Sequence, residues 1–181
     1  MFGRALGIPT FALRYQNVYG PGQSLQNPYT GILAIFSNLA RTASKIRVFE
    51  DGAESRDFVH VADVVRATTA CITSTVTGFH SINVGSSERT SVLEVAKLVN
   101  AYFGGRSAVE ITGEFRAGDI RHGTADLTFA RELIGYEPRW GFKAGLKTFL
   151  DWANRLQPEG SSGYEQSLAE MEGRGLFHLP S

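Results

Sequence analysis

Two arginines and two asparagines stand where a chain can build an anion site. Asn17 and Asn83 lie at the ends of apolar runs, Arg56 comes after the Glu50-Asp51-Gly52 turn, and Arg116 opens a charged loop that contains Gly118. Guanidinium forks bind phosphate oxygens two at a time and never lose their charge. Carboxamides add donors and read hydroxyls as well. Such a quartet suits a pyrophosphate. Phe49, close to Arg56 in sequence, offers an apolar face to a base or sugar. The competing reading is ordinary surface pairing, Arg56 with Asp57 or Asp51 and Arg116 with Asp119, which contributes little. Joint occurrence, not any single residue, favours a site.

Other chemistry is sparse. His60 precedes a helical pattern and reads as a structural hydrogen-bond donor. His122 falls in the charged loop, within reach of a ligand but without an assigned catalytic role. No His/Cys/Asp cluster has metal-ligand spacing. The Gly85-Ser86-Ser87 stretch is a strand-to-helix turn, not a nucleophile elbow. Cys71 is the single cysteine, so an internal disulfide is excluded; it sits in a helical pattern as a core thiol. There is no G-x-G-x-x-G fingerprint after an early strand, so no dinucleotide cradle is encoded. Nor is there a Tyr with Lys four residues on. Tyr15, Tyr19, Tyr29, Tyr102, Tyr136 and Tyr164 have Tyr, Gln, Leu, Arg, Trp and Leu at that distance. A phenol made acidic by a neighbouring ammonium is therefore not available at that spacing.

The elements that must position these groups alternate. Phe2 to Gly7 reads as a last helical turn with a glycine stop. The run from Ile8 to Leu13 is a strand that leads into Arg14 to Tyr19 and the Gly20-Pro21-Gly22 turn. Asn27-Pro28 reads as a cap and first helical position. Ile32, Ile35, Phe36, Leu39 and Ala43 then form a predicted buried stripe. Short strands are expected at Ile46 to Phe49, Phe58-Val59, Phe79 to Val84 and Val109 to Ile111. Val61 to Ser74 is expected as a helix with Val61, Val64, Val65, Thr68 and Ile72 inward and Asp63 favouring its dipole. Ser91 and Glu94 make a capping box before Val92, Val95, Ala96, Val99 and Phe103. Asp126 caps a short helix that Gly135 stops. Phe142, Leu146, Phe149, Leu150 and Ala153 define a last strong helix. Gln157 to Gly163 turns to Pro, Gly and Ser, a linker before a weak helix at Leu168 to Leu179. Strands alternating with helices argue for an α/β fold, and short strands for a small sheet.

Composition agrees. The chain has 181 residues, 43% hydrophobic, with 12 Phe to fill a core. Eighteen basic and eighteen acidic residues balance, which argues against nucleic acid or an anionic membrane as partner. No apolar run approaches the ~20 residues of a membrane span.

Four stretches together carry a resemblance. They are Leu13-Arg14-Tyr15-Gln16-Asn17-Val18-Tyr19-Gly20-Pro21, Ser55-Arg56-Asp57-Phe58-Val59-His60-Val61-Ala62-Asp63-Val64, Ile82-Asn83-Val84-Gly85-Ser86 and Arg116-Ala117-Gly118-Asp119-Ile120-Arg121. In order and gaps they resemble the extended short-chain dehydrogenase/reductase family, in particular its NAD-dependent sugar-nucleotide epimerases and dehydratases. The likeness runs from about Gly3 to Trp152. Asn27-Pro28-Tyr29-Thr30-Gly31 and Arg174-Gly175-Leu176 resemble the dTDP-L-rhamnose 4-epimerase branch, with UDP-glucose 4-epimerases beside it. Glu50 stands where a glycine is usual, and Gly22 where many relatives carry Arg.

The resemblance implies a fold and roles. The chain resembles the C-terminal half of such an enzyme, the substrate-binding side of a Rossmann-like fold. Residues 1–156 would be the nucleotide-sugar domain with the last strands of the Rossmann unit, and 157–181 a linker and tail. Asn17, Arg56 and Arg116 would hold the pyrophosphate of a dTDP- or UDP-sugar, Phe49 would lie along the base, and Asn83 would contact the phosphate or ribose. Tyr15 and Val18 would border NAD. The implied reaction is oxidation at sugar C4 by NAD, turning of the keto sugar and hydride return. A 4,6-dehydratase or a non-catalytic nucleotide-binding remnant are the alternatives. The chain alone is expected to be inactive, in the cytoplasm, as a homodimer or beside a separate N-terminal half.

Overall fold

The computed structural model describes residues 2–25, 31–157 and 162–178. The opening turn of helix, α1 (Phe2–Leu6), ends at Gly7 with φ 65°. The next apolar run forms two strands instead of one, β1 (Thr10–Tyr15) and β2 (Asn17–Tyr19). The first pairs in parallel with β5 (Phe79–Val84), the second with β4 (Ser55–His60). Gln16 is the crossing point: its N–H donates to the Val84 carbonyl at 2.9 Å, and the next residue already lies beside Phe58. On its other edge β4 takes β6 (Arg89–Ser91), antiparallel. Two further pairs complete the strands, β3 (Ile46–Val48) parallel to β7 (Val109–Ile111) and β8 (Phe115–Arg116) antiparallel to β9 (Phe177–His178). The α/β class holds, as several small sheets with helices packed on them.

Three helices close the larger core. They are α2 (Ile32–Arg41), α4 (Val92–Tyr102) and α6 (Phe142–Ala153), packed around β3, Tyr19 and Phe58. The predicted stripe of α6, Phe142, Leu146, Phe149, Leu150 and Ala153, is buried throughout. The serine half of the expected capping box of α4 forms, with Ser91 Oγ accepting the Glu94 N–H at 3.1 Å. The stripe of α2 differs. Leu33, Ala34, Phe36, Ser37, Leu39 and Ala40 are buried, while Ile32 and Ile35 are partly so. Ala43 is exposed beyond the helix end, at φ 54°. The expected cap at Asn27 and Pro28 lies outside the described residues, and Gly31 is the residue before the helix.

A second core gathers around α3 (Val61–Thr73), β5 and α5 (Thr128–Ile134). Here the predicted face is wrong in part. Val64 is buried, but Val65 and Ile72 are 57% and 80% exposed, and Asp63, Ala67 and Cys71 point inward. The reason is Asp63. Its Oδ2 accepts the N–H groups of Arg139 at 3.0 Å and Trp140 at 3.1 Å, and Arg66 lies 3.2 Å from Oδ1. A buried carboxylate must be partnered, so this polar anchor sets the rotation of the helix. Gly135 stops α5 as expected, left-handed at φ 61°, but Leu127 and not Asp126 is the residue before the helix; Asp126, one position further back, accepts the Thr128 N–H at 2.9 Å. Beyond residue 161 the chain forms α7 (Ser162–Gly173), then returns through β9 to the body. Among the described residues no helix is long and apolar enough to cross a membrane.

Candidate functional site

The site begins with the alternation of β4. Side chains two apart in extended chain share a face, so Arg56 and Glu54, the residue just before the strand, line a cavity while Ser55 and Asp57 do not. Asp57 is fully buried. Its Oδ1 accepts the Ser86 N–H and O–H, both at 2.7 Å, and its Oδ2 accepts the N–H groups of Ser87 and Ala125, both at 3.0 Å. The turn after β5 is thus a cradle for one carboxylate. Only glycine fits at its start, because a Cβ on Gly85 would lie 2.5 Å from Asp57 Oδ2. Asp57 is therefore not the partner of Arg56. Its carbonyl instead receives Asn17 Nδ2 at 3.3 Å, which ties β2 to the same strand.

The cavity has a volume of about 320 Å³. Asn17, Phe49, Arg56 and Arg116 all line it, from four separate segments of chain. Arg56 is held by the carbonyls of Ser55 at 3.1 Å and Arg121 at 3.2 Å, and pairs with Asp119 at 2.8 Å. The guanidinium carbon of Arg116 lies 5.4 Å from the centre of the Phe49 ring. Arg116 Nε is buried and has no hydrogen-bond partner among the described residues. In the competing surface-pair reading Asp119 would sit beside Arg116 and Asp51 beside Arg56; instead Asp119 pairs with Arg56, and Asp51 pairs with Arg121 together with Glu50.

Three predicted site residues fall elsewhere. Asn83 stands on β5, and its Nδ2 donates to the Asp126 carbonyl at 3.1 Å; it does not line the cavity. The break at Gln16 separates β5 from β2 and so divides the two asparagines between sheets. Tyr15 and Val18 are 45% and 38% exposed and lie outside the cavity. Tyr15 Oη donates to Thr68 Oγ1 at 2.9 Å, whose own proton goes to the Val64 carbonyl. His60 is buried and structural, though not only as a donor. Its Nδ1 accepts the Ala62 N–H at 3.3 Å, so Nε2 carries the proton toward Thr148 Oγ1 at 3.2 Å, and Trp140 stacks on the ring. Burial holds its pKa below the usual histidine value. His122 pairs with Ser55 Oγ at 2.9 Å and stays outside the cavity.

The cavity also has residues that sequence reasoning missed. Glu54 is 6% exposed, and its Oε2 has no partner among the described residues. Burial pushes this carboxyl up, and the nearby Glu50 and Asp51 push the same way. The period of two from Arg56 was the available signal. Arg47 lines the cavity too, paired with the buried Glu114. Tyr164, Ser167 and Met171 of α7 add a wall. β9 fixes that wall: the Ala117 N–H donates to the Leu176 carbonyl at 3.0 Å, and Phe177 packs on Phe49 with ring centres 5.2 Å apart. Composition around 157–163 reads as a linker and gives no hint that the helix after it closes a site.

Comparison with known proteins adds the chemistry. Residues 2–85 match the model of the NAD dependent epimerase/dehydratase family. The dTDP-L-rhamnose 4-epimerase of Burkholderia thailandensis is 40% identical over 148 residues, covering 82% of this chain and 40% of that protein. The UDP-glucose 4-epimerase of Thermotoga maritima, solved with UDP-glucose, superposes with a TM-score of 0.73 at 32% identity, over 85% of this chain and 48% of that one. The UDP-glucuronic acid 4-epimerase of Bacillus cereus, solved with UDP-glucuronic acid and NAD, gives 0.75 at 25% identity, over 86% and 48%. The chain spans about half the length, or less, of the relatives it matches.

Proposed function

We propose that this chain, which belongs with the NAD dependent epimerase/dehydratase family, forms the nucleotide-sugar side of an epimerase and holds the diphosphate of a dTDP- or UDP-sugar between Arg56 and Arg116. The observation that carries this reading is the convergence of Asn17, Phe49, Arg56 and Arg116 on one cavity, with a buried guanidinium N–H left without a partner among the described residues. A buried donor without an acceptor is costly unless a ligand supplies one. Phosphate oxygens do so, and two arginines from different segments would grip them from two sides. Asp119 fills the place of a phosphate oxygen on Arg56 in the free protein. Asp119 is 43% exposed, so releasing this acid to solvent in exchange for a phosphate costs little. Asn17, already bound to β4, adds a neutral donor.

NAD would supply the hydride acceptor and donor for chemistry at sugar C4. The described residues fit only the edge of such a group: Tyr15 and Val18 offer exposed side chains, and no phosphate cradle accompanies them. What these residues do themselves is bind and orient the nucleotide. The domain division comes with this reading: residues 1–156 hold the ligand, and the tail from residue 162 completes the cavity wall. Calorimetry with dTDP and UDP tests the proposal. Binding to the purified chain should weaken at least about tenfold in Arg56→Ala and again in Arg116→Ala, as expected for lost charge-assisted bonds. No heat with either nucleotide, or binding indifferent to both substitutions, would remove the diphosphate site.

A further inference from the structure

We infer that Glu54 selects the base of the nucleotide by accepting the imide N–H of a uracil or thymine ring. The inference rests on the diphosphate reading above and extends it to the other end of the ligand. Glu54, the residue just before β4, and Arg56 line one cavity. Glu54 is 6% exposed, and its Oε2 meets no partner among the described residues. A buried carboxyl oxygen of this kind calls for a donor. The neighbouring cations are engaged elsewhere. Arg56 is held by Asp119, Arg47 by Glu114, and Arg121 by Glu50 and Asp51. Glu50, Asp51 and Glu54 bring carboxylate oxygens within 4.8 Å of one another, but Arg121 already supplies the counter-charge there in place of a metal ion.

The donor therefore comes with the ligand, and charge decides which part of the ligand brings it. A phosphate oxygen 4 Å from a carboxylate is repelled by about 4 kcal/mol at the effective dielectric of a protein surface. The diphosphate belongs on Arg56 and Arg116 and not on the Glu54 carboxyl. What reaches Glu54 is neutral. Its surroundings favour a flat ring: the Glu54 carbonyl accepts the Val92 N–H at 2.8 Å, and Val92 continues into an apolar wall with Ile32, Ile35 and Phe36. An apolar face beside one buried acceptor matches a pyrimidine that carries an N–H at its edge. A ribose, polar all round, matches it less well.

The experiment titrates the full chain and its variants with UDP, dTDP, N3-methyl-UDP and inorganic pyrophosphate. Glu54→Ala should weaken UDP and dTDP about tenfold, the size of one lost buried hydrogen bond, and leave pyrophosphate unchanged. Glu54→Gln keeps an acceptor oxygen in the same volume and should stay within about threefold of the parent. N3-methyl-UDP, which lacks only the imide proton, should bind the parent weakly and be indifferent to Glu54→Ala. The inference is overturned if Glu54→Ala leaves UDP binding unchanged, if it weakens pyrophosphate by the same factor, or if N3-methyl-UDP binds like UDP. Failure of the diphosphate site itself would show differently, as UDP and pyrophosphate binding that ignores Arg56→Ala. Circular dichroism of both Glu54 variants separates lost binding from lost fold.

Discussion

Replacing Asp57 by Asn changes one atom and should cost the fold about 4 kcal/mol. The carboxylate is fully buried and accepts four hydrogen bonds, two per oxygen. An amide keeps one oxygen. The better arrangement leaves that oxygen facing the Ser87 and Ala125 N–H groups, which are backbone and cannot turn away. The new NH2 then faces Ser86. The Ser86 hydroxyl can rotate to accept, but the Ser86 N–H loses its acceptor, and a buried orphan donor costs roughly 1–3 kcal/mol. The two bonds that survive change from charged to neutral acceptors, a loss of roughly 1 kcal/mol each. Urea unfolding monitored by tryptophan fluorescence reads the sum. With a slope of roughly 2 kcal/mol per molar, the midpoint should fall by about 2 M. The same change loosens Asn17, whose amide rests on the Asp57 carbonyl, so nucleotide affinity should fall with stability. A loss below about 1 kcal/mol, less than one orphaned donor, would refute the reasoning. It would mean the turn after β5 finds other partners for its N–H groups.

Two single groups give further outcomes. Gly145→Ala places a Cβ 2.2 Å from Tyr19 Oη and 3.2 Å from His60 Cδ2; the helical gain of about 1 kcal/mol is outweighed by overpacking of roughly 1–3 kcal/mol, so thermal unfolding should come earlier, and a higher melting temperature would contradict it. His60 has its folded pKa held below the ordinary histidine value of 6.5, burial being the main cause and Asp63 opposing it. The unfolded chain then binds the extra proton first, so His60's contribution to stability is present above about pH 6.5 and is lost as pH falls below it; chemical denaturation at a series of pH values across that point should show a steeper decline toward acid for the parent than for His60→Asn, which keeps a capping oxygen, and equal slopes would exclude the effect.

The parts of the fold that are legible in the sequence are those decided locally. α6 and α4 announce themselves through apolar spacing and, for α4, a serine N-cap. β5 and β7 fall on their predicted spans. Spacing does not reveal what is decided at a distance. The rotation of α3 depends on two N–H groups from residues 139 and 140 that reach Asp63 across the core, and no periodicity in Val61 to Thr73 contains them. Val65 and Ile72 look inward by spacing, yet they lie outside because a buried charge outranks a methyl group in choosing the face. Ile32 and Ile35 of α2 have core spacing and are instead cavity wall, a distinction that burial patterns along one helix do not make. The tail is hidden for a related reason. Its linker-like start says nothing about Phe177, which finds Phe49 only once the long intervening chain is folded.

The candidate site shows the same division between type and place. Residue chemistry singles out Arg56, Arg116 and Asn17, and the fold brings them to one cavity with Phe49. It cannot tell Asn17 from Asn83, since both end apolar runs; the break at Gln16 sends one to β4 and leaves the other beside Asp126. Nor can it assign the acids. Asp57 and Asp119 are both plausible partners for an arginine by sequence, and the structure gives them opposite work. The buried one is saturated by four donors and fixes the strand that carries Arg56. The half-exposed one balances that arginine and, on the proposed reading, would give way to a competing anion. A site that must release its ligand needs this asymmetry, because an arginine paired with a buried acid would meet the full desolvation cost of breaking that pair at every binding event.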